Sequence, residues 1–279
     1  MKVLLLVAVV GLQVLSCLAK QKVVCYWPNW RMESGADGGH TPENIDPTLC
    51  THIHHAFHVL DEQHNVVKDS AGPQPDVYNR LNALKQKNPD VKIIISLGGA
   101  GQPDAAYSRL VSDPAKRSAF IKNTIAYIHK YKFDGLDIDW EYPVCWSGDC
   151  GKGPKSDKAN FGHLLTELRA AFDQQNPRLS LSAAVVAGVQ GGTVDHAYDF
   201  QAMASALDYI SVMTYDEAGS WEGKTGHHSK YSFCISGSQY YVNKGIPKEK
   251  VLMGVPFYGH TFKLQDKNKH GIGAPIAGE

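Results

Sequence analysis

Short apolar segments with the pattern of β-strands alternate along the chain with segments that have the periodicity of α-helices. The predicted strands cover residues 22–27, 51–57, 92–97, 135–141, 180–186, 209–215 and 251–257. The predicted helices cover residues 76–87, 112–131, 158–175 and 194–206. A strand followed by a helix, repeated, indicates a parallel sheet, and this number of repeats favours an α/β barrel over an open doubly wound sheet. No G-x-G-x-x-G motif opens a helix after the first strand, so a dinucleotide-binding fold has no support.

The fourth predicted strand places three carboxylates on one face. In its sequence FDGLDIDWEYP, the acids Asp137, Asp139 and Glu141 alternate with large apolar side chains. Side chains two residues apart on a strand point to the same face, so the three carboxylates are expected to be neighbours. Neighbouring like charges raise the pKa of some of these groups, which is typical of sites of proton transfer or cation binding.

Two other interpretations of this strand stay open. A solvated edge strand would also present acids on one face, although Trp140 and Tyr142 in the same segment argue against exposure. A metal site would use such a cluster as well, because carboxylates suit hard cations.

Residues 1–19 have the pattern of a secretory signal peptide, with a positive Lys2, an apolar core and a small-residue cleavage site. That core is too short for an ordinary spanning helix, and no later stretch is apolar enough to cross a bilayer. We therefore expect a secreted, extracellular protein with no membrane partner. The formal net charge is zero, so nucleic acid is not expected as a partner either.

Cysteine use fits secretion. The chain has six cysteines, and removal of Cys17 with the signal peptide would leave five. Secreted proteins tend to pair their cysteines, so an odd number means a missing partner or a free thiol. Cys145 and Cys150 flank a tight loop and are a candidate local pair.

Four histidines stand close together in the second predicted strand, namely His52, His54, His55 and His58. Such a group could indicate zinc. No cysteine or carboxylate lies near them at ligand spacing, so a metal site is not expected.

Polar and aromatic residues collect where the predicted strands end, which is where α/β barrels carry their reactive groups. The strand ends are marked by YWPNW from Tyr26, SLGG from Ser96, DWEY from Asp139, MTYD from Met213 and FYG from Phe257. Carboxylates catalyse glycosidic cleavage, and sugar rings stack on aromatic side chains. The grouping of aromatic rings around acids therefore indicates a carbohydrate-binding cleft.

These motifs, in their order and spacing, resemble glycoside hydrolase family 18, the chitinases, in its animal and arthropod form. FDGLDIDWEYP matches the family's DxxDxDxE signature, which is specific, whereas SxGG alone is weak. The resemblance covers residues 23 to about 262. It implies an α/β fold, the (β/α)8 TIM barrel, and an endo-acting chitinase that hydrolyses β-1,4-linked N-acetylglucosamine polymers.

The resemblance also implies a substrate-assisted mechanism that retains configuration. Glu141 would protonate the glycosidic oxygen and then act as base for water, while the substrate's own N-acetyl oxygen attacks the anomeric carbon. Asp139 would stabilise the oxazolinium ion that forms. Asp137 would share a proton with Asp139, so that the two acids titrate together.

Further roles follow from the same resemblance. Tyr215 would donate to the acetamido oxygen, Asp216 would bind sugar hydroxyls, and Asp134 and Ser96 would support the motif. No metal or cofactor is implied, the partner is chitin or its oligosaccharides, and a monomer is expected. The implied substrate-binding residues are Tyr26, Trp30, Phe57, Gly98, Gly99, Tyr142, Met213, Asp216 and Trp221.

The chain departs from the family pattern in three places. Ala100 stands where the family usually has a sugar-stacking Trp, and His260 stands where an Arg usually follows FYG. Only seven strands are predicted, so we expect a barrel over residues 20–262 that lacks its eighth strand. Residues 263–279 would begin a small α+β insertion domain. We expect a C-terminally truncated chain, because a seven-stranded barrel leaves two unpaired edges.

Cys25 and Cys50 match a pair that is bridged in the animal members of the family. Other functions fit some of the same residues. A chitin-binding lectin of this fold typically lacks the acid, whereas Glu141 is present here, so the enzyme is preferred. The alternatives are an inactive truncated form, a metal-dependent hydrolase that uses the acidic strand, and an endo-glycosidase acting on N-glycan cores. The aromatic first strand and the cysteines favour chitin.

Overall fold

The computed structural model describes residues 21–32, 39–70, 72–188 and 192–278. The predicted signal peptide lies outside these ranges. In the described residues the strands are β1 Val24–Pro28, β2 His52–Asp61, β3 Val66–Asp69, β4 Lys92–Gly98, β5 Gly135–Asp139, β6 Ser180–Val186, β7 Tyr209–Met213, β8 Val251–Met253, β9 Lys263–Leu264 and β10 Ile276–Gly278. The α-helices are α1 Pro75–Ala83, α2 Asp104–Ser112, α3 Pro114–Tyr131, α4 Asp157–Asp173, α5 Thr193–Ala197, α6 Phe200–Ala206 and α7 Tyr231–Asn243.

A curled parallel sheet carries the fold. Its strands follow the order β1-β2-β4-β5-β6-β7-β8, and each neighbouring pair is parallel, whereas β3 pairs antiparallel with β2. All seven predicted strands are present, and the predicted parallel α/β architecture is confirmed. Within the described residues, β1 pairs only with β2 and β8 only with β7, so the sheet has two edges and does not close into a complete barrel.

The inner strands β4, β5 and β6 are buried on both faces, as expected for a parallel sheet covered by helices. One face of β4 and β5 packs Ile93, Ile95, Leu136 and Ile138 into the hydrophobic core, together with helix residues such as Phe120. Each fully buried Leu or Ile contributes about 2 kcal/mol through the hydrophobic effect. The opposite face of these two strands carries the buried polar side chains Ser96, Asp137 and Asp139.

Helix α3 shows how the sequence sets an element's bounds. The Asp113 side chain accepts hydrogen bonds from the backbone N–H groups of Ala115 (2.8 Å) and Lys116 (3.3 Å), and Pro114 occupies the first turn. A capping carboxylate and a proline without an N–H both favour a helix start. The helix ends at Tyr131, and the next residue, Lys132, takes the left-handed conformation.

Several strand bounds differ from the prediction. β5 ends at Asp139, so Glu141 lies two residues beyond the strand rather than on it. β7 ends at Met213, because Thr214 N donates to Val212 O at 2.9 Å and turns the chain. β8 is also shorter than predicted, ending at Met253. β2 is longer, since it continues into an antiparallel hairpin with the unpredicted β3.

The helices differ from the prediction in number. The predicted helix over 194–206 is two helices, α5 and α6, separated by the extended Tyr198 and the capping Asp199. Helices α2 and α7 were not predicted. Short 3-10 turns complete the described chain at Asn29–Arg31, Pro42–Asn44, Leu84–Gln86, Ser220–Glu222 and Lys248–Lys250.

Two disulfides connect the pairs Cys25–Cys50 and Cys145–Cys150, and Cys234 is a buried free thiol. These are the two pairs named from the sequence. In the part of the chain that the structure describes, no helix is long and apolar enough to cross a membrane. The last two short strands, β9 and β10, form a separate antiparallel pair.

Candidate active site

The end of β5 is fixed by a close approach of two backbones. Gly98, the last residue of β4, has φ +122°, and a Cβ there would overlap the carbonyl group of Asp139. The next residue, Gly99, donates its N–H to the Asp139 carbonyl oxygen at 2.9 Å, and a Cβ on it would meet the Phe57 ring. Position 98 needs a positive φ and the absence of a Cβ next to Asp139, and only glycine meets both requirements. This explains the glycine at that position of the SLGG sequence.

Asp137 is fully buried and surrounded by hydrogen-bond donors. Its oxygens accept from Tyr26 Oη (3.0 Å), Ser96 Oγ (2.8 Å) and Ser182 Oγ (2.7 Å), and His54 Nδ1 lies 3.3 Å from Oδ2. Burial alone would raise the pKa of the Asp137 carboxyl. The electrostatic attraction of His54 and these hydrogen bonds outweigh it, so the pKa lies below its ordinary value. Asp137 is therefore held as a carboxylate.

Asp139 lies in the opposite electrostatic situation. It is buried, and its Oδ1 atom accepts no hydrogen bond from any described residue. Burial, and then the charges of Glu141 and Asp137, raise the pKa of Asp139 well above its ordinary value. The pKa values of these two neighbouring carboxyls are therefore displaced in opposite directions, with that of Asp137 lowered and that of Asp139 raised.

Glu141 is half-buried and borders the cleft. Burial, and then the negative charges of Asp216 and Asp104, raise the pKa of Glu141 to about 7. Asp104 is itself held in place, because Trp140 Nε1 donates to it at 2.9 Å and Ser147 Oγ at 3.1 Å. A carboxyl that keeps its proton near neutral pH can act as a general acid.

The opposite wall of the cleft is built from the segments after β7 and β8. Asp216 accepts hydrogen bonds from Tyr258 Oη at 2.8 Å on both oxygens and lies 2.8 Å from His260 Nε2. The neighbouring Tyr215 is half-buried, and its ring centroid lies 6.0 Å from that of Tyr258. Burial, and then the charge of Asp139, raise the pKa of the Tyr215 hydroxyl, so it is a donor.

Two exposed tryptophans belong to the predicted site, and of these Trp30 lines the cleft whereas Trp221 lies outside its lining. Trp30 is 59% exposed and stacks on Phe57 with 5.8 Å between ring centroids. Trp221 is 60% exposed and meets His260 edge-on at 5.5 Å. The structure brings nine of the predicted site residues to the lining of one cleft of about 2380 Å³: Tyr26, Trp30, Phe57, Asp139, Glu141, Tyr142, Met213, Tyr215 and Asp216.

Asp134 lies away from the cleft, at the first end of β5. Its carboxylate accepts from the N–H of Ile93 at 2.7 Å and pairs with Lys85 at 2.6 Å. These contacts join the beginnings of β4 and β5. Asp134 therefore holds strand register and does not face the site.

The histidines of β2 have carboxylate neighbours, so the expectation that none lies near is wrong. His54 approaches Asp137, and its Nε2 atom lies 2.8 Å from Tyr209 Oη. His55 Nε2 lies 3.7 Å from Asp69 on β3, and ligand atoms of His55, His58 and Asp69 lie within 4.8 Å of one another. Burial lowers the pKa of His55 to about 4, so His55 is neutral. A sequence separation of 83 residues hid the contact between His54 and Asp137.

The chain matches the model of the family described as Glycosyl hydrolases family 18 over residues 22–277. The chain belongs to glycosyl hydrolases family 18. Among curated relatives, Probable chitinase 10 of Drosophila melanogaster is 35% identical over 271 residues, covering 92% of this chain and 12% of that protein. Probable chitinase 2 of the same species is 37% identical over 259 residues, covering 86% of this chain and 51% of that protein.

Solved family 18 structures agree with this fold. The Ostrinia furnacalis Group II chitinase catalytic domain 2 matches with a TM-score of 0.83 and 40% identity, covering 91% of this chain and 69% of that one. A mutant of that domain, in complex with penta-N-acetylchitooctaose (NAG)5, matches equally well. This chain spans about half or less of the length of the two curated relatives.

Proposed function

We propose that this chain is an endo-acting chitinase that hydrolyses β-1,4-linked N-acetylglucosamine polymers with retention of configuration. The observation that carries the proposal is Glu141, a cleft carboxyl whose pKa is raised to about 7. It lies two residues beyond β5, on which the pKa of Asp137 is lowered and the pKa of Asp139 is raised. Membership of a family whose relatives are named chitinases supports the substrate class.

In the proposed reaction Glu141 gives its proton to the glycosidic oxygen as the bond to the anomeric carbon breaks. The acetamido oxygen of the substrate attacks that carbon and forms a cyclic oxazolinium ion. Glu141, now a carboxylate, accepts a proton from the water that opens the ion. The acid thus ends the cycle protonated, as it began.

Asp139 and Asp137 act as a pair in this proposal. A cation develops on the oxazolinium, and negative charge on Asp139 stabilises it. The proton of Asp139 passes towards Asp137, which is already a carboxylate and is held in place by hydroxyl donors. Tyr215 donates to the acetamido oxygen and fixes its direction of attack.

Sugar binding is assigned to the cleft walls. Trp30, Phe57 and Trp221 offer aromatic faces to sugar rings, and Asp216 accepts from sugar hydroxyls. The complex of a 40% identical relative with (NAG)5 supports an oligosaccharide of N-acetylglucosamine as the occupant. Ala100 is exposed and carries no ring, so stacking is absent at that position.

We also propose that the chain works outside the cell and as a monomer. The two disulfides suit an oxidising compartment. The proposed domain bounds are residues 20–262 for the catalytic barrel and 263–279 for the beginning of the insertion domain. The reaction as proposed uses no metal, so hydrolysis should persist in excess EDTA.

The test is Glu141→Gln, which removes the acid and keeps the size of the side chain. Hydrolysis of a fluorogenic chitin oligomer should fall by a factor of about 10³ or more, while calorimetric binding of the oligomer is retained. The matched control is Glu249→Gln, an exposed glutamate beside β8, which should keep full activity. If the wild-type chain binds the oligomer and never cleaves it, the proposed hydrolysis is wrong, and the chain is a chitin-binding lectin or an inactive form of the enzyme.

A further inference from the structure

Three side chains of the kinds that ligate metal ions lie close together beyond the ends of β7 and β8. Asp216 follows β7, His228 precedes α7 and His260 follows β8, so three segments bring these side chains together. Ligand atoms of the three lie within 4.8 Å of one another. His260 Nε2 lies 2.8 Å, and His228 Nδ1 lies 3.4 Å, from the same oxygen, Asp216 Oδ1.

These distances are close to those between ligands of one metal ion. With zinc–ligand bonds of about 2.0–2.2 Å, two donors of a tetrahedral site lie about 3.3 Å apart. The separation of His228 from Asp216 already has this value. The His260 to Asp216 distance would lengthen by about 0.5 Å, which a side-chain rotation supplies because both residues are partly exposed.

Tyr258 orients two of the three side chains. Its hydroxyl donates to both oxygens of Asp216 at 2.8 Å, and its carbonyl oxygen lies 3.2 Å from His228 Nε2. The backbone N–H of Asp216 donates to His228 Nδ1 at 3.3 Å. His228 therefore carries its hydrogen on Nε2, and a metal ion bound at Nδ1 would replace this long hydrogen bond. Metal-binding histidines typically donate their second ring N–H to a carbonyl in this way.

We propose that Asp216, His228 and His260 form a zinc-binding site. Two imidazoles and a carboxylate suit Zn²⁺, and three protein ligands leave a fourth position open to water or a sugar hydroxyl. Asp216 is exposed and lines the cleft, and both histidines are partly exposed, so an ion reaches the site from solvent. The other histidine cluster, on β2, is enclosed, and His58 Nε2 is already engaged with Tyr127 Oη at 3.3 Å.

A bound ion has a consequence for activity, and this part rests on the proposed function. Asp216 is assigned to sugar hydroxyls, and a carboxylate that coordinates zinc cannot accept from them equally well. Zinc would also place positive charge near Glu141, whose pKa is raised in part by the charge of Asp216. Zinc should therefore inhibit hydrolysis reversibly, and EDTA should restore it.

Binding is tested first, on the full chain and without substrate. Calorimetric titration with ZnCl₂ should show one ion per chain, and titration with CoCl₂ should give the visible absorption bands of a low-coordinate Co²⁺ site. His228→Gln and His260→Gln should each weaken binding by about tenfold or more and remove the cobalt bands. His227→Gln is the matched control, since this exposed neighbour lies outside the cluster.

Near-ultraviolet circular dichroism of each variant verifies that the fold is kept. Unchanged cobalt bands in both cluster variants, or equal loss in His227→Gln, would overturn the zinc site. Activity on the fluorogenic oligomer in zinc and in EDTA is measured separately. A chain that binds cobalt as expected but has no activity in EDTA refutes the proposed chitinase and leaves the zinc site standing.

Discussion

Individual side chains determine which groups of the site carry a proton, and Glu141 is the clearest case. A general acid must be protonated, so activity is fully present below its pKa and is lost as the pH rises through that value. With a pKa of about 7 for Glu141, the alkaline limb of kcat/KM should lie near pH 7. An unperturbed glutamate would place that limb more than two units lower.

Asp104→Asn tests the cause of that raised pKa. The substitution removes one of the two negative charges that keep Glu141 protonated, while the amide can still accept from Trp140. The alkaline limb should move down by about half a pH unit. The measurement is kcat/KM for a fluorogenic chitin oligomer between pH 5 and 9. A limb that stays in place or moves up would show that Asp104 does not act on Glu141.

The site residues fall into two groups: those that the local sequence identifies, and those whose contacts lie far away in the sequence. Asp137 and Asp139 could be assigned from the sequence, because a period of two is a local property of one strand. His54 and Asp104 could not, because their contacts with the site arise from strand pairing and loop packing across 83 and 36 residues. Their functional neighbours become visible only when the fold is known.

At the scale of elements, the order of strands was predictable and the ends were not. Short apolar segments such as residues 93–95 indicate buried parallel strands, whatever sequence surrounds them. Strand ends depend on turns such as that at Thr214. They also depend on glycines such as Gly98, which is required only because the backbone of a neighbouring strand comes close to it in the folded sheet. Helix α2, which supplies Asp104, was missed; it has only nine residues and begins directly after Pro103.

Gly98→Ala tests the junction of β4 and β5. The new Cβ would overlap the carbonyl of Asp139 and would also stand at a positive φ. Both effects destabilise the fold, so the free energy of unfolding should fall by about 3 kcal/mol or more. Gly101→Ala is the matched control, because that glycine has φ +79° and nothing within 4 Å of an added Cβ.

The control isolates the backbone penalty from the steric one. Gly101→Ala should cost only about 1 kcal/mol, the usual penalty for alanine in the left-handed region. Denaturant unfolding followed by circular dichroism measures both variants. Equal losses for the two substitutions would mean that the contact with Asp139 contributes nothing and does not explain the glycine at position 98.

At the scale of the whole molecule, the two sheet edges govern stability. β1 has a single neighbour, β2, among the described residues, so fewer hydrogen bonds hold it than hold an inner strand. The Cys25–Cys50 bridge connects β1 to the residues just before β2 and closes a loop with a sequence separation of 25. The Cys145–Cys150 bridge closes a separation of only 5.

Loop closure predicts different contributions from the two bridges. Restricting the unfolded chain costs more entropy for a longer loop, which gives about 3.5 kcal/mol for the first bridge and about 2 kcal/mol for the second. Replacing Cys25 and Cys50 together by Ser should therefore lower the free energy of unfolding more than replacing Cys145 and Cys150 together. The first change should also expose Trp27, now buried on β1, to a fluorescence quencher. A larger loss from the second pair would show that the loop beside Glu141, and not the edge strand, limits the stability of the fold.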